Sequence, residues 1–296
     1  MRTIARSVAA STVMAVVMLA GAALPALAKS GPPSKTQAVT TGNDISWPQC
    51  GKSYPSGQAF GLVGVNGGLA NDPNTCFASE LAWAWSSSGK SAPGAQPKAS
   101  LVVNTADPGQ VTPTVGDWPV NNTDPNGATA TDPYGTCSGA DDAACAWQYG
   151  WNRAIQDMLW LVGTPPSAGS TSPAAYPWWL DVETGNSWET GSIGLAHNVA
   201  DLQGMVAAFT NTSERTPSGA LLGGVITVGV YSTSSQWGQI IGTGASLGSL
   251  GGLPDWIPGA RGASSAQANC SLTGFTGHVS ITQWFGRPYD GDYACP

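Results

Sequence analysis

Short, continuously apolar runs recur along the chain, separated by longer amphipathic or irregular stretches. The runs predict strands at Asp44-Ile45-Ser46-Trp47, at Phe60 to Val65 (FGLVGV, ended by Asn66-Gly67-Gly68) and at Ser100 to Asn104 (SLVVN). Further strands are expected at Pro177 to Val182 (PWWLDV), Val225 to Tyr231 (VITVGVY), Trp256-Ile257 and His278 to Phe285 (HVSITQWF). Helical spacing of apolar residues predicts helices over Cys76 to Ser86, Ala146 to Val162 and Ile193 to Phe209, with no helix after the last strand. Alternating strands and helices imply a parallel sheet, and apolar runs without alternation imply that both of its faces are covered. The pattern alone leaves a closed barrel and an open doubly wound sheet equally admissible.

Between Thr105 and Ala144 the periodicity vanishes, and Pro, Gly, Asn, Asp and Thr dominate. Such a stretch reads as a long loop, and long loops in compact domains are commonly functional. The Gly-rich segment Thr243 to Leu253 lacks the strand-then-helix setting of a phosphate-binding loop, so no nucleotide cofactor is expected.

The N-terminus changes the compartment. Arg2 and Arg6 precede an apolar run from Ser11 to Leu24, and Ala26-Leu27-Ala28 offers small residues to a signal peptidase. Residues 1–28 therefore read as a bacterial-type signal peptide and 29–41 as a flexible segment, leaving one large domain over 42–296. The protein is expected to be secreted, with no membrane segment after cleavage. Six cysteines, Cys50, Cys76, Cys137, Cys145, Cys270 and Cys295, then read as disulfides, and sequential pairs are expected because each closes a loop between neighbouring elements. Without a CxxC, and with His197 and His278 as the only imidazoles, no metal is expected.

Eleven Lys and Arg stand against 18 Asp and Glu, so no basic stripe exists to meet nucleic acid. Thirteen Trp in a chain that is only 10% charged point instead to an aromatic core and groove of the kind that binds sugars.

Candidate chemistry sits where the strands end. Alternation places Asp181 and Glu183 on one face of their strand, within reach of Asp44. Two or three carboxylates at one mouth suit glycoside hydrolysis, in which one group donates a proton and another supports the positive sugar carbon. A solvated strand end explains Asp-x-Glu equally well. His197, in a helix, and His278, at a strand start, lack the context of a catalytic triad.

Five motifs narrow the choice. Asp44-Ile45-Ser46-x-x-Gln49, Leu180-Asp181-Val182-Glu183, Gly229-Val230-Tyr231-Ser232, Trp256-Ile257, and Thr282-Gln283-Trp284 with Asp292 occur in the order found in the glycoside hydrolase family 25 lysozymes, which the chain resembles as a divergent, actinobacterial-type secreted branch. The resemblance implies an α/β fold, an irregular TIM-type (β/α) barrel with helices lacking among the last strands. It implies Glu183 as general acid, Asp181 as assisting carboxylate and Asp44 as their support, with Tyr231, Gln283, Trp284 and Asp292 lining the sugar site. Trp118 and Trp188, in loops near the expected mouth, are added as sugar-stacking candidates, and the long loop is expected to cover one side of that mouth. The expected partner is cell-wall peptidoglycan, met by a monomer without a cofactor. The rival readings are a barrel that binds wall glycan without cutting it and a structural envelope protein.

Overall fold

The computed structural model describes residues 39–109 and 117–296. The expected leader and most of the 29–41 segment lie outside the described residues. Eight strands close into a barrel in sequence order: β1 (Gly42–Ile45), β2 (Gly61–Gly64), β3 (Ala99–Asn104), β4 (Trp178–Asp181), β5 (Val228–Tyr231), β6 (Asp255–Ala260), β7 (Val279–Trp284) and β8 (Gly291–Ala294). β1 to β7 run parallel, whereas β8 lies antiparallel to both β7 and β1. All seven expected strands are present, their ends displaced by no more than three residues. β8, only four residues long, had no readable pattern of its own.

Parity along the strands sorts the side chains. Phe60, Leu62, Trp179, Trp256, Ile281 and Ala294 fill the barrel interior. The intervening positions face outward, as where Trp178 packs on Phe209 with ring centroids 4.6 Å apart. The outer layer is dominated by α2 (Ala143–Val162) and α3 (Gly191–Thr210), with α1 (Phe77–Trp85) beside β2 and β3. Asp142 caps α2, its carboxylate accepting the Cys145 amide at 2.9 Å. The two long helices cross closely through Gly150 and Gly204. A Cβ at the first would strike the carbonyl of Asp201, and one at the second the carbonyl of Trp147. Two seven-residue helices, α4 (Ser234–Ile240) and α5 (Ala263–Asn269), follow β5 and β6, where none was legible in the sequence. None lies between β7 and β8.

The long loop divides. Its start stays at the mouth, where Thr105 holds the Asp181 carbonyl, whereas its part from Asp117 onward packs on the outer helices. Trp118 stacks on Tyr149 of α2, Asp124 accepts from Trp151, Tyr134 donates to Gln203 of α3, and Asn126 donates to Glu214. Burial of its aromatic and amide groups on α2 and α3 outweighs its position after β3.

The disulfides are Cys50–Cys76, Cys137–Cys145 and Cys270–Cys295, the sequential pairs. The last joins α5's end to the C-terminus across 25 residues, whereas Cys137–Cys145 spans eight. Loop-closure entropy makes removal of Cys270–Cys295 about 1 kcal/mol more costly than removal of Cys137–Cys145. Chemical denaturation of the two paired Cys→Ser variants measures the difference, and equal losses would count against this ranking.

Candidate active site

The strands carry their polar residues to one end. Asp181 continues the inward parity of Trp179, and Glu183 lies two residues further on the same face; both line a cavity of about 250 Å³ at the C-terminal mouth. The backbone between them is pinned from both sides. Thr105, after β3, donates its hydroxyl to the Asp181 carbonyl at 2.7 Å, and Ser232, after β5, donates to the Val182 carbonyl at 2.7 Å. Trp188 then donates its indole N–H to the Glu183 carbonyl at 2.8 Å, and Gln236 of α4 donates to Glu183 Oε1 at 3.0 Å. On the opposite wall, Gln49 accepts the Ser46 amide at 2.9 Å and so shapes the turn that follows Asp44. Gln49 and Ser232 thus hold backbone, which accounts physically for their places in the motifs.

A relay crosses the cavity: Tyr231 donates its hydroxyl to Gln283 Oε1 at 3.0 Å, and Gln283 donates to Asp44 Oδ2 at 2.9 Å. Among the described lining residues there is no Lys, Arg, His or Cys. Three carboxyls, those of Asp44, Asp181 and Asp292, therefore share one enclosed region, with Glu183 at its edge. Burial pushes Asp44 up to about 6, with the charge of Asp290 adding to the push. Asp181 is raised well above the ordinary carboxylate range by burial, then by Glu183 and Asp44, and its enclosed Oδ1 has no hydrogen-bond partner among the described residues. Asp292 of β8 is fully buried and also raised, by burial first and then by Asp44, which it faces together with the indole of Trp256. Tyr231 is raised by burial and then by the surrounding carboxylates, and so stays a neutral donor.

No family model matches the chain, and no curated protein matches it. Among solved structures it is similar to the bacterial lysozyme of Streptomyces coelicolor, with 14% identity over 88% of this chain and 94% of that one, at a TM-score of 0.47. It is also similar to a glycoside hydrolase family 25 lysozyme from Aspergillus fumigatus, with 16% identity over 87% and 94% at a TM-score of 0.46. A muramidase from Trichobolus zukalii shares 13% identity over 86% and 93% at a TM-score of 0.43.

The cavity gathers Asp44, Asp181, Glu183, Tyr231 and Gln283, with Asp292 directly behind them. Three expected sugar contacts lie elsewhere. Trp118 is buried against Tyr149, its N–H on the Ala140 carbonyl. Trp284 has the outward parity that Gln283 inward requires, and its ring covers Gly291 of β8. Trp188 packs on the helical core and meets the site through the Glu183 backbone alone. In their place stands Trp47, 49% exposed at the cavity rim and packed on Gly68. Asn66 and Asn104 also line the cavity; Asn66 accepts the Asn104 amide at 2.7 Å and donates to buried Asp157 at 2.9 Å. The only hint in the sequence was position: Trp47, Asn66 and Asn104 each follow or end an apolar strand.

Proposed function

We propose that the protein is an exported N-acetylmuramidase that cleaves the glycan of cell-wall peptidoglycan. The observation that carries this reading is the convergence of Asp44, from one motif, with Asp181 and Glu183, from another, in one cavity whose described lining residues include no cation. Glu183 lies furthest toward the mouth and acts as general acid, giving its proton to the glycosidic oxygen as the bond to the anomeric carbon breaks. Asp181, behind it, supports the positive charge that develops on the sugar ring, and Asp44, tethered by Gln283, holds the pair in place. Each further ionisation in the cluster meets the charges already present, which favours a shared proton, and turnover uses that proton from Glu183 with Asp181 ionised. Asn66, Asn104, Tyr231 and Gln283 supply the hydrogen bonds that orient a hydroxyl-rich ligand, and Trp47 supplies an apolar face for a pyranose ring.

Loss of turbidity of a purified cell-wall suspension tests the reading. Clearing supports it; retention of the protein on insoluble wall without clearing would replace it with a glycan-binding barrel. Trp47→Ala is expected to raise KM by on the order of tenfold while changing kcat less, because stacking contributes mainly to binding. An unchanged KM would remove Trp47 from the site.

A further inference from the structure

A second polar cluster lies outside the lining of that cavity, beside Asp107 and Gly109 at the start of the loop that follows β3. His197 of α3 turns Nδ1 toward Glu189, 3.2 Å from Oε1 and 3.1 Å from Oε2, and toward Asp141 Oδ1 at 3.6 Å. The three groups offer ligand atoms that all lie within 4.8 Å of one another. Donors sharing one ion at about 2.0–2.2 Å in tetrahedral array stand about 3.3–3.6 Å apart, and the two separations from Nδ1 bracket that range.

Two further observations point to a cation. Asp107, buried to 1% exposure, lies beside Asp141 and Glu189; its Oδ1 accepts the Gly109 amide at 3.2 Å, but its Oδ2 has no partner among the described residues. Gly109 itself sits over the cluster, where a Cβ would run into Glu189 Oε1 and Asp141 Oδ1. Three carboxylates gathered around one imidazole leave negative charge that the imidazole cannot balance.

We propose that Asp141, Glu189 and His197 bind a divalent transition-metal ion of the zinc type, with Asp107 as a supporting carboxylate. Imidazole with carboxylates selects such an ion over calcium, which takes oxygen ligands alone. The Asp141 side chain, 43% exposed, gives the ion a path from solvent. The site is structural: it fastens the loop before α2 to the segment entering α3, where Trp188 holds the Glu183 carbonyl.

Calorimetric titration of zinc chloride into tag-free, chelator-stripped protein with its disulfides intact tests the site. One equivalent should bind with a micromolar or tighter Kd, and zinc at about a hundred times that Kd should raise the Tm by about 5–10 °C. Asp141→Asn and His197→Gln should each weaken binding at least about tenfold, whereas His278→Gln should not. Asp141 is exposed, so its variant remains informative even where loss of buried His197 prevents folding. Absence of saturable binding, or zinc bound by the Asp141→Asn protein with the parent's affinity, would overturn the proposal.

Discussion

Replacing Glu183 by Gln is expected to lower wall hydrolysis by on the order of 10²–10⁴ with little loss of stability. The amide keeps the shape, and Gln236 and Trp188 can hold it where they hold Glu183. What disappears is the proton donated to the leaving oxygen. The substitution also removes a charge that raises Asp181, so the Asp181 pKa should fall toward the ordinary carboxylate range. Infrared or NMR titration of the labelled side chain reads that fall. Because Asp44, Asp181 and Asp292 repel one another's ionisation, the limbs of the parent's activity–pH curve belong to the cluster and not to single residues. Glu214, which binds Asn126 far from the cavity, should tolerate the same exchange. Full activity in Glu183→Gln would refute the assignment of the acid.

Melting temperature should rise as pH falls from about 8.5 to about 5. Burial raises Asp44 to about 6 and Glu80 to about 7, and it lifts Asp157, Asp181, Asp201 and Asp292 as well. A carboxyl raised in the folded state keeps a proton there that the unfolded chain releases near its model value of 3.8 or 4.5. Its contribution to stability is therefore full below about pH 4 and is lost as pH climbs from there through the folded values of about 6 for Asp44 and about 7 for Glu80. Several such groups together make a difference on the order of 10 °C between the two ends of that range. Glu80, fully enclosed in α1 with Asn74 on one oxygen and no partner on the other, is a separable contributor. Glu80→Gln should flatten the curve around pH 7. A Tm that stays level or rises with pH would show that these carboxyls are solvated or paired.

Much of the barrel was legible because its strands are apolar enough to announce themselves. Parity then did the rest at β4, where Trp179, Asp181 and Glu183 necessarily share a face. The same rule, applied to β7, separates Gln283 from Trp284, which a motif read as a unit had kept together. Trp118 was misplaced for a different reason. A Trp in a Pro/Gly-rich stretch suggests an exposed ring, but this one recovers its burial from Tyr149, a contact across 31 positions that no local pattern carries. The short helices α4 and α5, SSQWGQI and ASSAQAN, are too short to show a helical period: α4 buries Trp237 and Ile240 and is capped by Thr233, which accepts the Gln236 amide at 3.1 Å, and α5 buries Ala266 alone. Asp107 and Asp141 come from the two ends of the long loop and Glu189 and His197 from either side of the start of α3, and a reading of metal ligands guided by cysteines could not assemble them.

The cut itself is the most direct test of the central claim. Purified peptidoglycan would be incubated with the parent protein or with Glu183→Gln, and the soluble fragments identified by mass spectrometry before and after borohydride reduction. The account predicts disaccharide–peptide fragments that end in reducible N-acetylmuramic acid, released by the parent and nearly absent with the variant. Fragments with any other new end, or the same fragments released equally by both proteins, would contradict it.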